Sequence, residues 1–142
     1  ENAMVIPSLI KRALDGENPL VVWGDGSQIR DFIHAEDVAR GMLLVLEKGI
    51  NLPVNLGSGI GVSIKEIVEI ILNNTKTKPQ VVWDTSKPAG DKKRLMDISR
   101  AKTIGFRPLI SIEEGISQTM QWYLENKSIV NKRYNIFIEK DR

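Results

Sequence analysis

A tyrosine and a lysine near the end of the chain have a spacing that could serve proton transfer. Tyr123 and Lys127 are four residues apart, so a helix would place both on one face. On such a face, a lysine can lower the pKa of a tyrosine that donates a proton. No preceding strand and no suitably placed Ser or Thr completes such a site, and the helical pattern fades at this pair. We therefore predict that Tyr123 is a packing residue.

The single histidine of the chain, His34, lies close in sequence to three carboxylates. With Asp31, Glu36 and Asp37 nearby, it could bind a metal or exchange protons near neutral pH. A zinc site would need further ligands, and the chain has no cysteine and no second histidine. Glu36 and Asp37 also stand at the start of a predicted helix, where carboxylates compensate free N–H groups. We favour this structural role and predict no metal site.

Three glycines lie between a predicted strand and a predicted helix, where a dinucleotide-binding turn would be found. Gly57 and Gly59 match the first two glycines of the G-x-G-x-x-G pattern, but the third position is Val62. No acidic residue ends a second strand about 20 positions later, as the pattern requires. We therefore predict that Gly57, Gly59 and Gly61 form a structural turn and do not bind a pyrophosphate.

Several basic residues could hold phosphate groups, and arginine is suited to contact through two hydrogen bonds. These residues are Arg12, Arg30, Lys87, Lys92, Lys93 and Arg94. Most are expected to be solvated surface groups. Arg30 differs, because the alternation over residues 28–34 places it on a short strand of a predicted hairpin. Trp23, in the other strand of that hairpin, could stack on a nucleobase or a sugar.

The composition is that of one soluble globular domain. The 142 residues are 42% hydrophobic and 27% charged, which is enough for one core. A net charge of +2 argues against a nucleic-acid partner. No apolar run approaches the roughly 18 residues of a membrane helix, and the first residues lack the order of a signal peptide. We therefore expect a cytoplasmic protein without a membrane partner.

The hydrophobic pattern and the turn residues predict helices and strands that alternate along the chain. The predicted elements are a helix over 5–14, a hairpin of 20–23 and 28–34, a helix over 36–48, a strand over 53–56, a helix starting at the capping box Ser63–Glu66, a strand over 80–83, a short helix over 97–105 and a last helix from Ser111. The class is α/β or α+β. Two or three strands are few for an independent parallel sheet. We therefore expect the chain to be part of a larger unit.

Four stretches, taken together, resemble one family. They are VIPSLIKR at 5–12, VVWGDGSQIRDFIHAEDVARG at 21–41, VNLGSGIGVSIKEI at 54–67 and WDTSKPAGDKKRLMDISRAKTIGFRPLISIEEGI at 83–116. They are similar to the carboxy-terminal half of extended short-chain dehydrogenases that act on nucleotide-sugars, and most of all to GDP-fucose synthases. The resemblance covers residues 1–127 and implies an α/β substrate-binding portion without a Rossmann domain. Residues 128–142 are predicted to form a tail.

The resemblance also implies which residues contact the substrate. Three residues of the first helix would border the nucleotide, an indole would pack near the base, one arginine would reach the diphosphate and a later basic residue would approach the nucleotide. In that order, these residues are Val5, Leu9 and Arg12, then Trp23, Arg30 and Arg94. The family's cofactor turn and catalytic residues precede the matching segment. The resemblance therefore implies no catalytic, cofactor-binding or metal residue in this chain.

The implied function is the nucleotide-sugar-binding part of an NAD(P)-dependent epimerase/reductase that acts on a GDP-linked deoxyhexose. NADP or NAD would be bound by an amino-terminal Rossmann domain of a longer parent, so we expect the chain alone to be inactive. One alternative is a part of a nucleotide-sugar 4,6-dehydratase or 4-epimerase. Another is a stand-alone, non-catalytic module for nucleotide-sugar binding or assembly.

Without its Rossmann domain, the chain should expose an apolar face. The helix over 36–48 and the strand over 53–56 would normally cover and extend the sheet of the parent. We therefore predict self-association through apolar residues of these two elements. The residues are Val38, Met42, Val45, Leu46, Val54 and Leu56.

Overall fold

The computed structural model describes residues 4–88 and 90–130, and they form five helices and five short strands. In chain order these are α1 (Val5–Leu14), β1 (Leu20–Trp23), β2 (Ile29–Asp31), α2 (Ala35–Glu47), β3 (Gly61–Ser63), α3 (Ile64–Asn73), β4 (Val81–Asp84), β5 (Lys93–Arg94), α4 (Ser99–Thr103) and α5 (Ile112–Val130). The predicted α/β class, with few short strands and flanking helices, is confirmed.

The strands form two small sheets. β1 pairs in parallel with β4, from Leu20 opposite Val81 to Trp23 opposite Asp84. In the other sheet, β2 lies between β3, which is antiparallel to it, and β5, which is parallel to it. The predicted hairpin is therefore wrong, because β1 and β2 belong to different sheets.

The turn between β1 and β2 explains this difference. Gly24 and Gly26 have φ angles of 82° and 79°, and the Asp25 carboxylate accepts hydrogen bonds from the backbone and hydroxyl of Ser27. The predicted turn is confirmed, but it carries the chain away from β1. A Cβ atom on Gly26 would lie 2.6 Å from the ring of Trp83, so the turn packs against β4, the partner of β1.

The first hydrophobic cluster lies between α1, α3, α5 and β1. Its buried residues are Leu9, Ile10, Ala13, Leu20, Val22, Ile64, Ile67, Val68, Ile71, Ile116, Met120 and Tyr123. The apolar residues of α3 recur at helical spacing, as predicted, and place one face of the helix in this cluster. The helix begins at a complete capping box, in which Ser63 and Glu66 each accept a hydrogen bond from the backbone of the other.

The second hydrophobic cluster is much smaller and lies beneath α2. Ile98, Ala101 and Phe106 are buried there, and half-buried apolar residues pack on them. The strand predicted over 53–56 is wrong: these residues have no strand neighbour within the described part of the chain. Their polar backbone is held differently, since the carbonyl of Pro53 accepts from Arg100 and the Asn55 amide donates to the carbonyl of Asp97 at 3.1 Å.

The last helix runs past the predicted domain boundary at residue 127 and is described as far as Val130. At its start, the Glu114 N–H donates to the Ser111 hydroxyl at 3.1 Å, while the Glu114 carboxylate accepts from Gln118. The predicted capping box is thus only half formed. Residues 131–142, most of the predicted tail, lie outside the described residues. No helix of the described residues is long and apolar enough to cross a membrane.

Candidate functional site

The glycine turn after residue 56 is filled by a carboxylate of the chain itself. Asp31 accepts hydrogen bonds from the N–H groups of Ser58 at 2.8 Å and Gly59 at 3.0 Å, and from the Ser58 hydroxyl at 2.5 Å. The N–H of Met96 donates to the same carboxylate at 3.3 Å. A Cβ atom on Gly57 would lie 2.8 Å from this carboxylate, so glycine is required for the close approach.

This arrangement decides the role of the turn. The N–H groups that would cradle a pyrophosphate are already satisfied by Asp31. The prediction of a structural turn is confirmed, and these residues do not fit the phosphates of a nicotinamide cofactor.

Two of the carboxylates near His34, Asp31 and Asp37, bind backbone N–H groups of distant segments. The predicted capping of α2 by Glu36 or Asp37 is wrong, because His34 itself is the cap. The His34 Nδ1 atom accepts from the Glu36 N–H at 3.3 Å and caps α2. Asp37 is fully buried and accepts from the N–H groups of Leu109 and Ile110 at 3.1 Å, so it fixes residues 108–110 to α2. No group of three potential metal ligands occurs among residues 4–88 and 90–130.

Tyr123 and Lys127 converge on a carboxylate of the first helix. The Tyr123 hydroxyl donates to Asp15 at 3.0 Å, and the Lys127 ammonium lies 2.6 Å from the same carboxylate. Partial burial opposes ionisation of Asp15, but hydrogen bonds from Lys11, Lys127 and Tyr123 outweigh it and lower its pKa to about 2. Tyr123 is buried. The prediction that Tyr123 is a packing residue is confirmed, and the pair joins α5 to α1.

Two of the predicted substrate residues come together. Arg30 on β2 and Arg94 on β5 are in register on neighbouring parallel strands, which places their side chains on the same face of the sheet. The Arg30 Nη1 atom donates to the carbonyls of Ile29 at 2.9 Å and Asp91 at 2.7 Å. The guanidinium is therefore held in place, while Arg94 is exposed. The arrangement can bind an anion between two positive charges.

The predicted residues of α1 have different surroundings. Val5 is exposed at the start of the helix, whereas Leu9 is buried in the first cluster. The Arg12 guanidinium donates to the Glu17 carboxylate at 2.7 Å and to the carbonyl of Val21 at 2.5 Å, and so connects α1 to β1. Their proposed contacts with a nucleotide remain predictions.

Trp23 lies at the carboxyl end of β1 and is 59% exposed. Its exposure suits a stacking role. It is not a hairpin neighbour of Arg30, because the two residues belong to different sheets. The expected position beside Arg30 was inferred from the hairpin and is not supported by this topology.

A further cavity, of about 650 Å³, lies between α3, β3 and the segment that precedes α5. We call it the α3 groove. It is lined by Phe32, Ser58, Ile60, Gly61, Val62, Glu66, Glu69, Ile70, Asn73 and residues 108–113. None of the six predicted substrate residues lines it. The spacing of Glu66, Glu69, Ile70 and Asn73, which form one stripe on α3, is the signal in the sequence that could have indicated this second face of the helix.

Proteins similar to this chain match most of its length. Residues 1–57 match the NAD dependent epimerase/dehydratase family. The chain is 39% identical over 138 residues to "Putative GDP-L-fucose synthase 2" of Arabidopsis thaliana. This match covers 94% of this chain and 42% of that protein. It is 33% identical over 140 residues to the GDP-L-fucose synthase of Escherichia coli, covering 89% of this chain and 44% of that protein.

The resemblance to the carboxy-terminal part of extended short-chain dehydrogenases is confirmed.

Solved structures of this epimerase/dehydratase group agree with the fold. The epimerase Mth375 of Methanothermobacter thermautotrophicus is similar with a TM-score of 0.82 and 29% identity, over 93% of this chain and 40% of that one. The UDP-glucose 4-epimerase of Thermotoga maritima, solved with UDP-glucose, gives a TM-score of 0.77 and 30% identity, over 89% and 41%. The chain thus spans about 40% of the length of the relatives that it matches.

Several residues of the stretches that carry the family resemblance have structural tasks. Asp31 holds the glycine turn, His34 caps α2 and Asp37 holds the segment before α5. Asp31 and Asp37 connect parts of the chain that are distant in sequence, whereas His34 acts at the start of its own helix. They do not specify the sugar or the base of a substrate.

Proposed function

We propose that this chain is the nucleotide-sugar-binding part of an NAD(P)-dependent epimerase/reductase that acts on a GDP-linked deoxyhexose. The arrangement of Arg30 and Arg94, in register on neighbouring strands, is the observation that carries the proposal. The similarity to GDP-L-fucose synthases at 33–39% identity supports the guanine nucleotide.

The role of the chain in this function is binding and orientation. A diphosphate would accept hydrogen bonds from Arg30, whose guanidinium is already oriented by two carbonyl groups, and from Arg94. Trp23 would stack on the base or the ribose. A nicotinamide cofactor would supply hydride transfer, and we assign its binding to a part of the parent that this sequence does not contain.

A second candidate is a part of a 4-epimerase or 4,6-dehydratase. The UDP-glucose 4-epimerase of Thermotoga maritima and the dTDP-glucose 4,6-dehydratase of Bacillus anthracis, with a TM-score of 0.73 and 28% identity, favour it. The two candidates differ in the reaction of the parent, and the relatives that support them also differ in the base of the nucleotide. The third reading, a non-catalytic binding module, shares the binding step and differs only in the absence of a catalytic parent.

Arg30 provides the first test. We expect Arg30→Ala to weaken binding of GDP-fucose by about tenfold or more, since a charged hydrogen-bonding group is lost from an oriented position. Lys92→Ala is the matched control, because this ammonium lies in the loop before β5 and should change binding little. Isothermal calorimetry or an NMR titration of both variants measures the difference.

The same titration with GDP-fucose, UDP-glucose and dTDP-glucose separates the candidates. Preference for GDP-fucose supports the first, and preference for UDP-glucose or dTDP-glucose supports the second. If Lys92→Ala weakened binding more than Arg30→Ala, the assignment of the diphosphate site would be wrong.

Trp23 provides an independent test of the base position. We expect its fluorescence to change when GDP binds, because the exposed indole would become covered by the base or ribose. In Trp23→Phe, most of the GDP-dependent signal should disappear, although Trp83 and Trp122 remain. A Trp23→Phe protein that kept the whole signal would show that the base binds elsewhere.

A further inference from the structure

Within the described part of the chain, the Arg30 guanidinium forms its hydrogen bonds through one nitrogen atom. Nη1 donates to the carbonyl oxygens of Ile29 at 2.9 Å and Asp91 at 2.7 Å. Nε and Nη2 donate to no acceptor among residues 4–88 and 90–130. Since a guanidinium carries N–H groups on all three nitrogen atoms, those on Nε and Nη2 are left to bind an anion.

The second of these carbonyls belongs to residues 90–92, which lead into β5. The Ile29 N–H donates to the carbonyl of Lys92 at 2.9 Å and fixes the end of this segment to β2. The carbonyl of Asp91, one residue earlier, therefore lies beside the strand that carries Arg30. The orientation of the guanidinium thus depends on the backbone of this segment as well as on Arg30 itself.

Gly90 begins this segment in a conformation that favours glycine. Its φ angle is 71°, in the left-handed region that residues with a Cβ atom rarely adopt. A Cβ atom at this position would lie 3.4 Å from Nη2 of Arg30, which is an ordinary van der Waals contact. A methyl group would therefore not displace the guanidinium by collision. It would cover part of Nη2, the nitrogen that is left for an anion.

We propose that Gly90 is a positioning residue for the diphosphate, acting through Arg30. Its left-handed backbone places the Asp91 carbonyl against Nη1, and its missing side chain leaves Nη2 open to a phosphate oxygen. The inference rests on the proposed function for the identity of the anion. It makes the affinity for a diphosphate depend on a residue without a side chain, because a guanidinium that is oriented before binding loses less conformational entropy when it binds.

Backbone strain alone is the simplest competing explanation for an effect at Gly90, and the chain offers a matched control for it. Gly49, which follows α2, has a φ angle of 61°, and a Cβ atom there would have no neighbour within 4 Å among the described residues. Gly49→Ala therefore introduces the same kind of strain without covering a guanidinium.

NMR relaxation of the Arg30 Nε–H group tests the positioning without any ligand. The signal is identified by its absence in Arg30→Lys. We expect a rigid side chain in the wild type and in Gly49→Ala, and faster motion on the picosecond to nanosecond timescale in Gly90→Ala. A guanidinium that stays as rigid in Gly90→Ala as in the wild type would overturn the positioning role.

Gly90→Asn separates the backbone from the open space beside Nη2. Asparagine tolerates the left-handed region better than most residues but still carries a Cβ atom. We expect Arg30 to remain rigid in this variant, while GDP binds more weakly because Nη2 is covered. Wild-type affinity for GDP in Gly90→Asn would contradict the role of the open space.

Calorimetric titration with GDP then tests whether Gly90 acts through Arg30. We expect Gly90→Ala to weaken binding by about threefold to tenfold and Gly49→Ala to leave it unchanged. In an Arg30→Ala background, adding Gly90→Ala should change the affinity little, because the group through which it acts is absent. Equal weakening in both backgrounds would show that Gly90 acts independently of Arg30, and the proposal would be wrong.

The two measurements also separate this inference from the proposed function. If Gly90→Ala frees the guanidinium but Arg30→Ala leaves GDP binding unchanged, the positioning of Arg30 is supported and the diphosphate assignment is wrong. If Arg30→Ala weakens GDP binding but Gly90→Ala changes neither the motion of Arg30 nor the affinity, the diphosphate site stands and this inference fails.

Discussion

The two hydrophobic clusters of this protein differ in how completely the chain covers them. The first cluster is enclosed by three helices and a strand, and residues such as Leu20, Ile67 and Ile71 have no exposed surface. The second has three buried residues and is covered by α2 and by segments without regular structure. One region is a closed core, and the other is covered only in part by the described residues.

The helix α2 illustrates the incomplete coverage of the second cluster. Its inner side packs on the second cluster through Leu44, but Met42, Leu43 and Leu46 are 63%, 59% and 76% exposed. In the first region, α1, α3 and α5 pack against one another. A helix with apolar residues on both sides needs two partners, and the described residues provide only one for α2.

The largest expected effect is the difference in stability loss between a variant in the first cluster and a variant in the second. We expect Ile67→Ala to lower the free energy of unfolding by about 3 kcal/mol, because it leaves a cavity in the closed core. Leu56→Ala in the second cluster should cost about 1 kcal/mol, since this side chain is half-buried and the site can relax. Urea denaturation followed by circular dichroism measures both. Equal losses would mean that the second cluster is as complete as the first.

The exposed face of α2 should lead to self-association. We expect the chain to form dimers in a concentration-dependent way, because covering a leucine removes apolar surface from water. Leu46→Lys should weaken the dimer by about tenfold or more, whereas Leu124→Lys, at a 53% exposed position of α5, should leave it unchanged. Sedimentation velocity at several concentrations shows the result. A strictly monomeric chain at high concentration would contradict the open interface.

Val54 and Leu56, which were expected to contribute to this contact, are half-buried beneath α2. The structure therefore places the exposed surface on the helix and not on the segment that follows it. Glu47→Lys, which alters charge on α2 without removing apolar surface, distinguishes a hydrophobic contact from an electrostatic one. It should change the dimer less than Leu46→Lys does.

The smallest effect concerns the ion pairs that join α1 to α5 beside the first cluster. The pKa of Asp15 is lowered from 3.8 to about 2 in the folded protein. Its contribution to stability is therefore present above pH 4 and is lost as the pH falls towards 2. After allowance for solvent screening, we expect a loss of about 1 kcal/mol over this range.

Thermal unfolding of the wild type and Asp15→Asn between pH 5 and pH 2.5 checks this value. The variant should lack the acid-dependent part of the loss, while Asp91→Asn, the control, should retain it. Identical pH profiles for the wild type and Asp15→Asn would show that the cluster adds nothing to the folded state.

Local signals in the sequence were sufficient for most helices. The capping box Ser63–Glu66 and the apolar residues that follow it predict α3, because both depend on neighbours within one or two turns. Pairing between strands was harder to predict. β1 pairs with β4, which lies about sixty residues later, and nothing in the turn after Trp23 indicates this partner.

The family resemblance carried the sequence reasoning further than the local patterns, because motif residues such as Asp31 and Asp37 are fixed by contacts across the fold. It did not reveal the α3 groove, whose lining comes from β2, β3, α3 and the segment before α5. The sequence by itself determined the helices, the structural use of Tyr123 and the α/β class. Only the tertiary structure decided which strands pair and which helix faces remain open, since these depend on packing between residues that are far apart in the chain.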